Sequence, residues 1–256
     1  GGRNRQVLIL IDGIKVSDPS RIDNDFDINL LNIEMIESIE IVKGATSTLY
    51  GSSAATGVVN IITKKAKESI KLIAKKTWGT EQIANKSFDK INAGNQFINL
   101  GGELFESGVG INLSYAERFS RGLSAVIGEE IDQFKKLNLN TGFDGKIGSQ
   151  FNWQLNWSKV DLTSDYDNSF PLEDADFEFT SNLNRYGLNT QYKYTNGSLN
   201  LNAGLQKNKR EYRSSFPTIS QSNCLNIDFF NKYIFNKKFY SIVGIQYQKE
   251  KMVATN

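Results

Sequence analysis

Carboxylates are the residues of this 256-residue chain whose crowding first suggests chemistry. Glu129, Glu130 and Asp132 stand together, and Asp165, Asp167, Glu173, Asp174 and Asp176 crowd the stretch from Asp161 to Glu178. Paired acids such as Asp174 and Asp176 are the residue type that hydrolyses glycosides, but that reaction needs two carboxyl groups held at a fixed separation across a sugar. Nothing in their spacing fixes such a geometry. Neither acidic stretch has the ligand spacing of an EF-hand loop. The chain has no His and a single Cys, Cys224. That removes a His-based acid–base pair, an intrachain disulfide and a Cys/His zinc site of ordinary ligand count. No phosphate-cradling G-x-x-x-x-G-K-[ST] string occurs. The residues therefore describe a protein that is not an enzyme.

Charge and hydropathy narrow the class further. Thirty basic residues against 28 acidic leave a net charge of +2, which lacks the basic excess of a nucleic-acid binder. The mean hydropathy of −0.40 is that of an ordinary soluble composition. No window approaches the run of about 18 apolar residues that a membrane helix needs, and the longest apolar stretch, Val7 to Ile11, is strand-sized. A membrane β-barrel stays open, because strands that alternate apolar and polar residues average to a polar hydropathy. The chain opens on Gly1-Gly2-Arg3 and closes on Met252-Val253-Ala254-Thr255-Asn256, which reads as an internal stretch of a longer protein.

The elements that must position these residues change character along the chain. Val7-Leu8-Ile9-Leu10-Ile11 before Asp12-Gly13 predicts a buried strand running into a tight turn. Ser38 to Lys43, closed by Gly44, and Gly57 to Thr63 predict two more strands. Between them Leu30 to Ile36 carries apolar residues on helical spacing, with Asn29 or Asn32 as the cap. The front is therefore a small α+β module, and Gly44, Gly51 and Gly57 read as places where the backbone turns tightly or packs closely.

After the basic run Lys64-Lys65-Ala66-Lys67 the pattern becomes strict alternation in segments of about ten residues. That change sets a boundary, with one domain over 1–66 and a second over 67–256. Val109, Ile111, Leu113 and Tyr115 alternate with Gly110, Asn112, Ser114 and Ala116. Phe151, Trp153, Leu155 and Trp157 alternate with Asn152, Gln154, Asn156 and Ser158, and Leu199 to Gln206 repeats the pattern. Short turns at 106–108, 145–148, 195–197 and 236–238 take turns with long polar stretches at 79–95, 120–133, 162–181 and 209–223. About nine antiparallel strands follow the boundary. Alternating strands also build a soluble β-sandwich or a surface adhesin. Three features favour an up-and-down barrel: an Asn/Gln/Gly-rich polar face, Tyr192 and Tyr194 near a strand end, and the alternation of short and long connections.

One string carries a resemblance. "IESIEIVKGATSTLYGSSAATGVVNIITKK", from Ile36 to Lys65, with "VLILIDG" upstream, resembles the end of the plug domain of TonB-dependent outer-membrane receptors. The resemblance covers residues 1–65, roughly the second half of a plug, and implies that the strands after it begin a 22-stranded transmembrane barrel closed around that plug. The fold class expected is mainly β: a small α+β plug followed by antiparallel barrel strands. Within the family the sequence is most similar to the cobalamin-receptor branch. The function so implied is TonB-dependent uptake of a scarce ligand across the bacterial outer membrane, most readily cobalamin or a related corrinoid. A siderophore or haem receptor of the same family and a β-sheet surface binding or adhesion protein are the alternatives.

The resemblance also implies sites and partners. The apical loop from Val16 to Asp25 occupies the place where receptors of that branch touch substrate, which points to Ser17, Asp18, Ser20 and Arg21. Glu37, Glu40 and Lys43 would form ion pairs between plug and barrel. Receptors of this type also bind calcium through acidic loops, and Glu129, Glu130, Asp132, Asp165 and Asp167 offer the several closely spaced oxygens that calcium takes. No other cofactor is implied. The partners implied are TonB, a small-molecule ligand, outer-membrane lipid and a surface lipoprotein, with no nucleic acid.

Overall fold

The computed structural model of the chain describes residues 7–21, 23–44, 56–65, 69–81, 91–104, 108–121, 126 and 132–255, and it resolves them into two sheets. The first has four strands in the order β2-β1-β4-β3. Its strands are β1 (Val7–Ile11), β2 (Ile14–Lys15), β3 (Ile36–Lys43) and β4 (Gly57–Thr63). β1 and β2 form a hairpin whose two turn residues, Asp12 (φ 52°) and Gly13 (φ 77°), both take the left-handed conformation of a type I′ turn. The Asp12 carboxylate then accepts hydrogen bonds from the Thr63 amide and hydroxyl, tying that turn to the end of β4. β4 lies between β1, to which it is parallel, and β3, to which it is antiparallel.

The helix expected over Leu30 to Ile36 does not form; two single 3₁₀ turns, Ile28–Leu30 and Ile33–Met35, stand in its place. Asp27 caps the first and Asn32 the second, each by accepting from the backbone amide two residues on. Leu30 and Met35 are the buried residues of these turns. The extended residues between the turns let both side chains reach the neighbouring sheet, which a continuous helix would not. Gly44 has φ 103°, and a Cβ on Gly57 would meet the Val42 carbonyl at 2.7 Å, so these glycines are set by backbone geometry. Gly51 lies outside the described residues.

The second sheet is a nine-stranded antiparallel meander in chain order from β5 to β13. It comprises β5 (Lys71–Gly79), β6 (Ala93–Glu103), β7 (Val109–Arg121), β8 (Gln133–Ile147), β9 (Phe151–Ser169), β10 (Leu172–Tyr194), β11 (Gly197–Arg213), β12 (Thr218–Ile234) and β13 (Tyr240–Thr255). Short connections close one rim at 148–150, 195–196 and 235–239. At the other rim the expected long loops 162–181 and 209–223 are corrected: both are mostly strand, with tips only at 170–171 and 214–217. Their polar residues obscured this. A strand that projects past an apolar band has polar side chains on both faces, so its backbone ladder persists after the alternation fades.

Burial along these strands is the reverse of a soluble sheet. On β7 it is Gly110, Asn112, Ser114 and Ala116 that are buried, whereas Leu113 is exposed. On β11 Asn200, Gly204, Gln206, Asn208 and Arg210 are buried, while Leu199 is exposed. The four-stranded module packs on the polar face, and among the described residues nothing packs against the apolar face. A sandwich would cover the apolar face with a second sheet, so this wall is the lipid-facing sheet of a barrel.

The interior contact joins the two sheets. Ile11, Val16, Phe26, Leu30 and Ile61 of the small module pack with Val160 and Leu183 of the wall, and Met35 packs with Phe97 and Ala116. Apolar residues appear on the wall's inner face at the rungs where these module residues land.

Candidate functional site

The contact between the inner module and the wall is where this chain concentrates its buried polar chemistry. The backbone from the β1–β2 turn to the start of β3 presents buried carbonyls toward the wall, and a buried carbonyl needs a partner. The wall supplies them from its period-two amides. Gln206 donates to the Ser17 carbonyl at 2.6 Å, Asn138 to that of Leu30 at 2.8 Å, Asn189 to that of Asp12 at 2.9 Å and Asn226 to that of Lys15 at 3.3 Å. The Lys136 ammonium donates to the carbonyls of Asn29 and Leu31. The Asn/Gln-rich face seen in the sequence is thus a row of backbone partners.

Shape complements these bonds. The side chain of Ile14, next after the Asp12-Gly13 turn, lies over Gly187 and Gly204, which face each other on β10 and β11. A Cβ on Gly187 would come within 2.9 Å of Ile14 Cδ1, and one on Gly204 would run into Ile14 Cγ2. The two glycines form a socket, and Ile14 fills it.

The strongest electrostatic feature is Asp18, which is 1% exposed. One carboxylate oxygen accepts from the Ser20 amide, the Ser20 hydroxyl and the Ser222 hydroxyl. The other accepts from Asn208 at 2.6 Å and pairs with the Arg210 guanidinium at 2.9 Å. Arg210 lies 4.0 Å from Asp27, which in turn pairs with Arg21, and Arg21 pairs with Asp25. Ser17 is buried beside this cluster, with its hydroxyl on Glu250 and 3.7 Å from the Cys224 thiol. Lys15 is held below its usual pKa by burial, an effect opposed by the nearby Glu250.

The residues expected at the site separate into groups. Ser17 and Asp18 bond to the wall and are closed off from solvent, whereas Ser20 and Arg21 are half-buried, with Arg21 committed to Asp25 and Asp27. Glu37, Glu40 and Lys43 lie on β3, exposed and away from the nine-stranded wall. Among the described residues none of them makes an ion pair, and Glu40 accepts from Asn60 of β4. Among the described residues the module-to-wall ion pairs are Asp18–Arg210, Asp27–Arg210 and Glu34–Lys75. Glu129 and Glu130 lie outside the described residues. Asp165 accepts from the Gln133 amide, and Asp167 from the amides of Val126 and Ala175. Among the described residues no three acidic, His or Cys side chains gather as a metal group. The contributions of Asn138, Gln206, Asn208 and Arg210 were visible in sequence only as alternation, since the separation between Asn208 and Asp18 is 190 positions.

Toward the short-turn rim the wall's inner face borders a polar cavity of about 920 Å³, lined in part by Gln154, Gln191, Asn200 and Asn202, with Lys65 from the inner module. Polar module, polar inner wall and apolar outer wall describe a plugged barrel. Residues 1–58 match the family model of the TonB-dependent receptor plug domain. That segment of the chain is a TonB-dependent receptor plug domain. The vitamin B12 transporter BtuB of Vibrio vulnificus is 24% identical to it over 98% of the chain and 40% of that protein. The corresponding transporter of Vibrio cholerae is 26% identical over 99% of the chain and 41% of its own length. Among solved structures the siderophore receptor PirA of Acinetobacter baumannii has a TM-score of 0.73 at 18% identity, over 97% of this chain and 40% of that one. The chain thus spans about 40% of the length of the curated relatives it matches. Its place is the bacterial outer membrane, with the four-stranded module as plug and the nine strands as barrel wall.

Proposed function

We propose that this chain supplies the second half of the plug and the leading barrel strands of a receptor that takes up a scarce ligand by TonB-dependent transport. The observation that carries this reading is the polar seat. A plug that must part from its wall is better held by hydrogen bonds than by a dry apolar core, because water replaces each bond as the surfaces separate. Each such bond contributes only about 0.5–1.5 kcal/mol net. Three buried wall atoms at the seat, Asn189 Oδ1, Gln206 Oε1 and Arg210 Nε, lack partners among the described residues, which lowers the cost of parting further. Work for the separation would come from TonB, acting through a plug segment beyond this chain.

Cobalamin or a related corrinoid is the ligand we favour. The support is the pair of vitamin B12 transporters, which are similar to this chain along nearly all of it, whereas the siderophore receptor at 18% identity shares the fold. In this proposal Ser17 and Asp18 hold the apical loop in place, and Ser20 and Arg21 present it to ligand. Glu37, Glu40 and Lys43 would meet wall strands that follow the nine in this chain. Calcium, where it binds, would draw on Glu129, Glu130, Asp132, Asp165 and Asp167. A surface lipoprotein would dock over the long hairpins.

The test is equilibrium binding of cyanocobalamin to the full-length receptor in detergent, with and without calcium, beside a ferric siderophore. Tight cobalamin binding strengthened by calcium is the expected result. Binding of the siderophore alone would replace the ligand while leaving the transporter class intact.

A further inference from the structure

The outer surface of the wall carries a feature that plug and lumen do not use. Cross-strand register places Phe143, Leu155, Leu188 and Ala203 side by side on β8 to β11, and Thr141, Trp157, Tyr186 and Leu205 on the next outward-facing row. Together with Leu225 they line an apolar groove of about 450 Å³. Its floor includes Gly187 and Gly204, the glycines that take Ile14 on the lumen side, so the wall there is one bare backbone thick.

One row further toward the long-hairpin rim the chemistry changes. Lys159 faces Asn184 and Asn184 faces Lys207 on β9, β10 and β11. Lys209 follows above on β11, paired with Glu211 at 3.5 Å, and Lys159 pairs with Asp161 at 2.8 Å. Lys207 is exposed and makes no ion pair among the described residues. Neighbouring strands are about 4.8 Å apart, so the backbones bearing Lys159 and Lys207 are roughly 10 Å apart, and two flexible lysines can converge on one group above Asn184.

The long-hairpin rim of such a barrel faces outward, which sets the lysine row at the outer-leaflet interface and the groove in the hydrocarbon beneath it. We infer that this surface binds a phosphorylated, multiply acylated glycolipid of the outer leaflet, of lipid A chemistry. An acyl chain lies in the groove, and a headgroup phosphate is held by Lys159, Asn184 and Lys207. The two halves of the site fit the two halves of such a lipid: burial of acyl chain in an apolar groove, and attraction of phosphate to cations at the interface.

The experiment is native mass spectrometry of the delipidated full-length receptor titrated with bis-phosphorylated hexa-acyl lipid A, monophosphoryl lipid A and phosphatidylglycerol. Two variants accompany it: Lys159→Glu combined with Lys207→Glu, and Ala203→Trp, which fills the groove without changing charge. Heat-induced unfolding on gels verifies that each barrel is intact. The expected result is at least tenfold preference for bis-phosphorylated lipid A over phosphatidylglycerol, reduced at least fivefold by either variant. Equal retention of all three lipids, or unchanged lipid A binding in both folded variants, would overturn the assignment.

Discussion

Asp18 shows how much one side chain decides here. Its carboxylate gathers two serine hydroxyls, one amide N–H, one side-chain amide and the Arg210 guanidinium in a place closed to water. Removing it leaves a buried guanidinium without its countercharge, a change that costs about 3–5 kcal/mol when one partner of a buried pair is lost. Asp18→Ala is therefore expected to speed hydrogen exchange across residues 7–43 of the full-length receptor by at least a hundredfold while the barrel strands keep their protection. Unchanged protection of the plug would show that the pair does not hold it. In the sequence Asp18 reads as a polar loop residue open to ligand. Nothing local reveals a partner on a distant strand, and a charged residue bound for burial looks like a solvated one until its countercharge is located.

At the scale of elements, the socket under Ile14 couples a hairpin to two wall strands. Gly204→Ala drives a methyl group into Ile14 Cγ2, and overpacking of this kind costs about 1–3 kcal/mol. The expected outcome is loosened plug docking in urea titration of the full-length receptor, recovered when Ile14→Ala is added, so that the double-mutant cycle shows coupling. Additive effects of the two changes would dissolve the socket. The strands themselves were legible: β1 and β4 coincide with their β-branched runs, and β7, β9 and β11 begin at or within two residues of their alternating segments. What was not legible follows from how pattern encodes environment. Helical spacing at 30–36 arose where two short turns, Ile28–Leu30 and Ile33–Met35, each bury one apolar residue. The hairpins at 162–181 and 209–223 lost their alternation because past the apolar band the outward face is polar too, while the inward face carries buried polar residues such as Ser181, Arg210 and Ser222, though backbone pairing continues to the tips.

For the whole molecule, the decisive fact is which face of the wall is covered. Alternation alone is compatible with a sandwich or a barrel. The inward Asn, Gln and Ser and the outward Leu, Trp and Phe separate the two, and they make sense of a polar mean hydropathy in a membrane protein. On the proposed function, a plug seated through such polar side chains is stable at rest and separable under load. That can be tested with one substitution, because Ser17 Oγ already lies 3.7 Å from the native Cys224 thiol. In cells bearing the full-length receptor, Ser17→Cys should close a disulfide between plug and wall under oxidation. With that bond verified, cyanocobalamin should bind as to the unmodified receptor while its uptake falls at least tenfold, and reduction should restore transport. Full uptake with the disulfide intact would show that this contact does not part, and would contradict the account.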